Sequence, residues 1–137
     1  MIDINEVNLS SASILDLERG FTVPGDSPYY ACLFCSARFE EGMIYPSGSA
    51  LMTAKRTVQA HVEEVHGGAF KSLLALGKER TGISEVQGQV LACEYDGLPD
   101  RDIAKALGGK SASTIRNHRF QLRRQKAQAA VFLALMN

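Results

Sequence analysis

The stretch Gly97-Leu-Pro-Asp-Arg-Asp-Ile-Ala-Lys-Ala-Leu-Gly-Gly-Lys-Ser-Ala-Ser-Thr-Ile-Arg-Asn-His-Arg-Phe-Gln-Leu-Arg-Arg124 divides into two helical segments around a pair of glycines. In the first, Ile103, Ala104 and Leu107 share one side at three-to-four spacing, and Ala104 is small enough for close helix contact. Gly108 and Gly109 predict its end, because glycine takes the left-handed backbone that a helix C-terminus often needs. Ser111 or Ser113 then offers a hydroxyl to cap the second segment. Ile115 and Leu122 supply that segment's buried side. Lys110 to Lys126 contains six Lys or Arg and no acid. A helix, a tight turn and a basic helix form an arrangement able to enter a DNA major groove.

Gly97-Leu98, Asp102-Ile103-Ala104, Leu107-Gly108 and Ser113-Thr114-Ile115-Arg116-Asn117-His118 together resemble the DNA-binding domain of LuxR-type (GerE-like) bacterial transcription regulators. Ile83-Ser84 and Val90-Leu91 resemble that family's first helix. The chain departs from the pattern at Pro99, where a capping Ser or Thr is usual, and at Arg119, where an aliphatic side chain is generally buried. Its turn is also one residue longer. The resemblance implies that Arg116 and Asn117 face the groove, with Phe120 against a thymine methyl. Arg and Asn suit bidentate contacts to guanine and adenine. Lys110, Ser113, Thr114, Arg119, Arg123 and Arg124 are expected at phosphates, where they set register. Arg119 has a second expectation, a stem lying over the core with its head in water.

Upstream, charge separates the chain into unlike halves. Residues 1–80 hold seven Lys or Arg against ten Asp or Glu, a net −3. Residues 81–137 hold eight against five, a net +3. An acidic domain, 1–80, is therefore expected before a basic helix-turn-helix domain, 81–137. Ser84 and Gln87 have the spacing of a capping box for the latter's first helix.

In the acidic half, Ser10 or Ser11 is expected to cap a helix ending at Gly20, with Ile14, Leu15 and Leu17 as its apolar residues. Tyr29 to Phe34 and Arg38 to Glu40 read as a hairpin, and Ile44-Tyr45 as a short edge strand within a turn-rich loop. Thr53 to His66 reads as a helix with Ala54, Val58, Val62 and Val65 on one face. This half also carries Cys32-x-x-Cys35 and His61-x4-His66. Two thiolates and two imidazoles in that order suit tetrahedral Zn²⁺. A hairpin followed by a helix resembles a zinc-finger ββα unit, with a Cys-to-His gap about twice the usual length. The ideal helix turns His66 away from His61, so Gly67 and Gly68 are expected to let the last turn loosen. Cys93, within an apolar helical stretch, is expected to be a core thiol.

The expected fold is mostly α with a small β hairpin: a ββα zinc-binding module, then a helix-turn-helix bundle with a long C-terminal helix. Enzyme activity is not expected. His61-Val-Glu-Glu-Val-His66 lacks the four-residue histidine spacing of zinc hydrolase helices, and a Cys2His2 set leaves no position for water. The expected function is sequence-specific binding of double-stranded DNA in transcription regulation, with structural zinc. The alternative is an adaptor that binds RNA polymerase or another regulator through the same helices. The apolar end Val131-Phe-Leu-Ala-Leu-Met136 predicts either packing on the chain's own N-terminal half or a homodimer, with preference for the latter. Met1-Ile-Asp-Ile-Asn-Glu6 shows no secretory pattern, no apolar run suits a membrane span, and three cysteines fit a reducing cytoplasm.

Overall fold

The computed structural model describes residues 9–137. The chain divides into two compact units, 1–76 and 77–137. It is mostly helical, with two small antiparallel sheets and a long C-terminal helix.

In the first unit, α1 spans Ile14–Arg19. Its cap is Ser13, three residues beyond Ser10 and two beyond Ser11: the hydroxyl accepts from the Asp16 N–H, and the Asp16 carboxylate accepts from the Ser13 N–H. Ser13 wins because only it has Asp16 three residues on to complete the box. Ile14 and Leu15 are 55% and 63% exposed, so the apolar face expected here is largely uncovered. Gly20 ends α1 at φ 87° and hands the chain to β1 (Phe21–Thr22).

β1 pairs with β2 (Tyr29–Cys32), and β2 with β3 (Arg38–Glu40), all antiparallel. Phe21 lies opposite Cys32, and Tyr30 opposite Phe39. The expected hairpin is thus the larger part of a three-stranded sheet. A second hairpin follows, β4 (Ile44–Ser47) with β5 (Ala50–Thr53), closed by Gly48-Ser49. Gly48 has φ 60°, a backbone that tight two-residue turns demand and that glycine adopts without strain. This hairpin fills the long interval between the cysteines and the histidines, where the sequence suggests mainly loop.

Thr53 caps α2 (Ala54–His66) by accepting the Arg56 N–H. Ala54, Val58 and Val62, spaced by four, are buried. Val65, expected with them, is 63% exposed. The core joins Phe21, Cys32, Val58, Val62 and Ala69, with Tyr30, Phe34, Cys35, Ala37 and Phe39 packed around it. α3 (Ala69–Leu74) closes the unit.

The second unit is all helical: α4 (Lys78–Thr81), α5 (Glu85–Tyr95), α6 (Asp100–Ala106) and α7 (Ala112–Met136). Ser84 and Gln87 form the expected capping box on α5. Val90, Ile103, Ala104 and Ile115 make the core, flanked by Cys93, Leu98, Leu107 and Leu122. The Gln87 side chain donates to Gln125 (3.2 Å), and the Gln125 amide donates to the Gly82 carbonyl (3.4 Å), tying α7 to the start of α5. Among the described residues, no helix is long and apolar enough to cross a membrane.

Candidate metal centre and basic helix

Cys32 sits at the end of β2 and Cys35 in the bend leading to β3. The Cys32 N–H donates to the Ala37 carbonyl, closing the bend. Inside it, the Phe34 N–H points at the Cys32 Sγ and the Ala37 N–H at the Cys35 Sγ, each at 3.4 Å. Backbone dipoles so aimed favour a sulfur that carries negative charge. Across the sheet, α2 delivers His61, whose Nε2 lies 3.1 Å from the Cys35 Sγ.

His66 arrives without the loosened turn expected from its spacing. α2 stays helical through His66, and the glycines form the cap beyond it. Gly67 N–H reaches the Glu63 carbonyl and Gly68 N–H the Val62 carbonyl, a bond pattern that left-handed glycines close at helix ends. The two rings meet edge to face with centroids 5.1 Å apart. One ligand atom from each of Cys32, Cys35, His61 and His66 lies within 4.8 Å of all the others. These four residues lie close enough to bind a metal ion.

The site's chemistry fits an ion independently of that distance. His66 Nε2 is buried and has no hydrogen-bond partner among the described residues, a costly state for a ring nitrogen unless something ligates it. Burial pushes the Cys32 thiol up to about 11, and the adjacent Cys35 adds to the rise against the opposing pull of the Phe34 N–H. Two thiols crowded in this way gain most from a cation. Burial first, and then the neighbouring His66, holds His61 below its usual value, which favours the neutral ring whose lone pair can ligate.

Sequence spacing alone does not reveal the aromatic walls of this centre. Phe34 lies 5.7 Å from the His66 ring, and Phe39 lies 5.8 Å from His61. Gly20 makes the first contact possible. A Cβ there would stand 2.9 Å from Val62 Cγ1, 3.1 Å from Phe34 and 3.2 Å from Ala69. Cys93 belongs to the second unit and is half-buried against that unit's core.

In the second unit, Gly108 and Gly109 both have positive φ, and the N–H groups of Gly109 and Lys110 converge on the Ala104 carbonyl. Ser111 caps α7, accepting the Thr114 N–H at 3.2 Å. Its hydroxyl also lies 2.9 Å from those of Ser113 and Thr114. Ile115 is fully buried, which turns Arg116, Asn117 and Phe120 outward. The Arg124 guanidinium lies over the Phe120 ring at 6.0 Å. Lys110, Ser113, Arg123 and Arg124 are exposed, whereas Thr114 and His118 are half-buried.

Arg119 differs from the other basic residues expected at phosphates. Its Nε lies 3.1 Å from the Asp100 carboxylate and 3.9 Å from that of Glu94, and its side chain is 26% exposed. It stands four residues after Ile115 and three before Leu122, so helical geometry points it at the core side. Val131, Phe132, Leu133, Leu135 and Met136, at the far end of α7, are all exposed.

No protein family, curated protein or solved structure matches the chain.

Proposed function

We propose that this protein is a sequence-specific regulator of transcription that binds double-stranded DNA through α6 and α7, as in LuxR-type regulators, and carries a structural Zn²⁺. The observation that carries this reading is the outward-facing set Arg116, Asn117 and Phe120, held opposite a fully buried Ile115 on a helix whose basic half contains no acid. Arg116 and Asn117 can each present two polar atoms to a base edge, and Phe120 an apolar one. Lys110, Ser113, Thr114, Arg123 and Arg124 surround them as phosphate contacts. Zn²⁺ is the ion best suited to two thiolates and two imidazoles in a closed tetrahedral set. It would be held by Cys32, Cys35, His61 and His66 and would serve stability, since four protein ligands leave no position for activated water.

The exposed apolar end of α7 supports a homodimer reading two half-sites in a cytoplasmic setting. The same exposed end favours a second reading, in which this unit docks on RNA polymerase or another regulator. Selection of bound duplexes from a random pool tests the choice. An enriched motif, with affinity that falls steeply as salt rises, is expected, and Arg116→Ala should erase the preference at one base position. Binding that ignores sequence, or no binding to duplex DNA at any salt, would sink the DNA reading and leave the adaptor.

A further inference from the structure

We propose that Arg119 and Asp100 form a charge clamp that sets the angle between α6 and α7, making both of them positioning residues for the exposed edge of α7. Ile115, Arg119 and Leu122 lie along one row of α7, and this row faces the core. A guanidinium placed in that row is half-buried, and an acid beside it offsets the hydration it loses. The acid is supplied by the start of α6. Pro99, the N-cap, has no side-chain hydrogen bond to give, and Asp100 is the first helical residue. Its carboxylate sits where the helix dipole favours negative charge and where Arg119 arrives. Asp100 Oδ1 and Arg119 Nε are both shielded from water, and they lie 3.1 Å apart, off the line of a straight hydrogen bond. The attraction is therefore coulombic, between side chains that solvent screens only in part. Glu94, half-exposed at 3.9 Å, is the outer member.

An apolar contact at position 119 would tolerate sliding, since hydrophobic attraction has no direction. A charge pair weakens as its separation grows, so it holds α7 at the distance where Arg119 meets Asp100. Arg116 and Phe120 lie within one turn of Arg119, so a rotation of α7 allowed by losing the pair moves them directly. The consequence for base selection rests on the regulator reading above; the clamp itself does not.

The test has two arms, both in the full chain. In the first, Asp100→Asn, Arg119→Met and the double variant are compared by hydrogen exchange at the α6 and α7 amides, without DNA. Asn keeps the shape of Asp and Met keeps the stem of Arg, and exchange reads local opening even where stability falls. Each single change should raise the opening constant, and the double should be non-additive by about threefold, as coupled charges at partly shielded sites are. Additivity overturns the clamp, as does a Glu94→Gln effect equal to that of Asp100→Asn.

The second arm measures binding to a selected duplex and to a random duplex across salt concentrations. Arg119→Met should lower the selected-to-random ratio by about tenfold, with the salt slope unchanged. A slope reduced by about 0.9 with the ratio intact would make Arg119 a phosphate contact and overturn the proposal. If no variant binds duplex DNA, the regulator reading falls, and hydrogen exchange still decides the clamp.

Discussion

The two units build their interiors from different materials. The second is closed by Val90, Ile103, Ala104 and Ile115, all apolar, with α5 and α7 capped by Ser84 and Ser111. The first contains Cys32 in its core and His66 at its edge with an orphaned ring nitrogen. An apolar core lowers its energy by excluding water alone. Cys32, Cys35, His61 and His66 instead lie close enough to bind a metal ion, and on the structural-Zn²⁺ reading proposed above that ion would supply stability the apolar residues do not. On that reading the two units answer the same problem, too few large apolar residues, in opposite ways.

The largest expected effect separates them directly. Chelation, or Cys32→Ser, should unfold the first unit, because a structural ion of this type contributes on the order of 10 kcal/mol to folding. Amide exchange should then show protection lost across β1–β3 and α2 and kept in α5–α7. Equal loss in both units would break the contrast.

Gly20→Ala comes next. The left-handed φ and a 2.9 Å approach to Val62 should destabilise the first unit by about 1–3 kcal/mol. Because Phe34 is among the atoms displaced, metal retention in a chelator titration should fall in parallel. Unchanged retention would separate the Phe34 wall from the centre.

Ser84→Ala probes the second unit in the terms that hold it. Loss of the bond from the Gln87 N–H to the Ser84 hydroxyl, with the Ser84 N–H still donating to the Gln87 side chain, should cost about 1 kcal/mol, seen as a lower thermal midpoint for α5–α7.

The smallest effect is at Asp16. Burial pushes its carboxyl up, but the Ser13 backbone and hydroxyl and the Arg19 guanidinium together hold it below its ordinary 3.8. With the folded value depressed, its contribution is present above pH 3.8 and lost as pH falls below it. Asp16→Asn should flatten this last part of the first unit's acid transition, and an unchanged acid curve would remove the capping box from the account.

Helix positions in the second unit were legible because each has a local cause: glycines at 108 and 109, Ser84 with Gln87, Ile115 with Leu122. The four-residue Cys/His set was legible for the same reason, since ligand chemistry needs only residue type and approximate spacing. The first unit's β structure was less so. β1 is two residues long, and β4 and β5 stabilise each other through pairing that no local pattern announces. Ser10 and Ser11 were plausible caps by type, and Ser13 prevailed through a side chain three residues on.

From the sequence alone came the division into an acidic and a basic half, the mostly helical fold with its small hairpin, and the four residues that converge in the first unit. Only tertiary structure decided that His66 reaches its partners from an intact helix, that Phe34 and Phe39 wall the centre, and that Arg119 turns from the surface toward Asp100. Periodicity and residue type are properties of neighbours along the chain. The direction of a guanidinium or an imidazole is set by what another element brings against it, and that is fixed only when the elements pack.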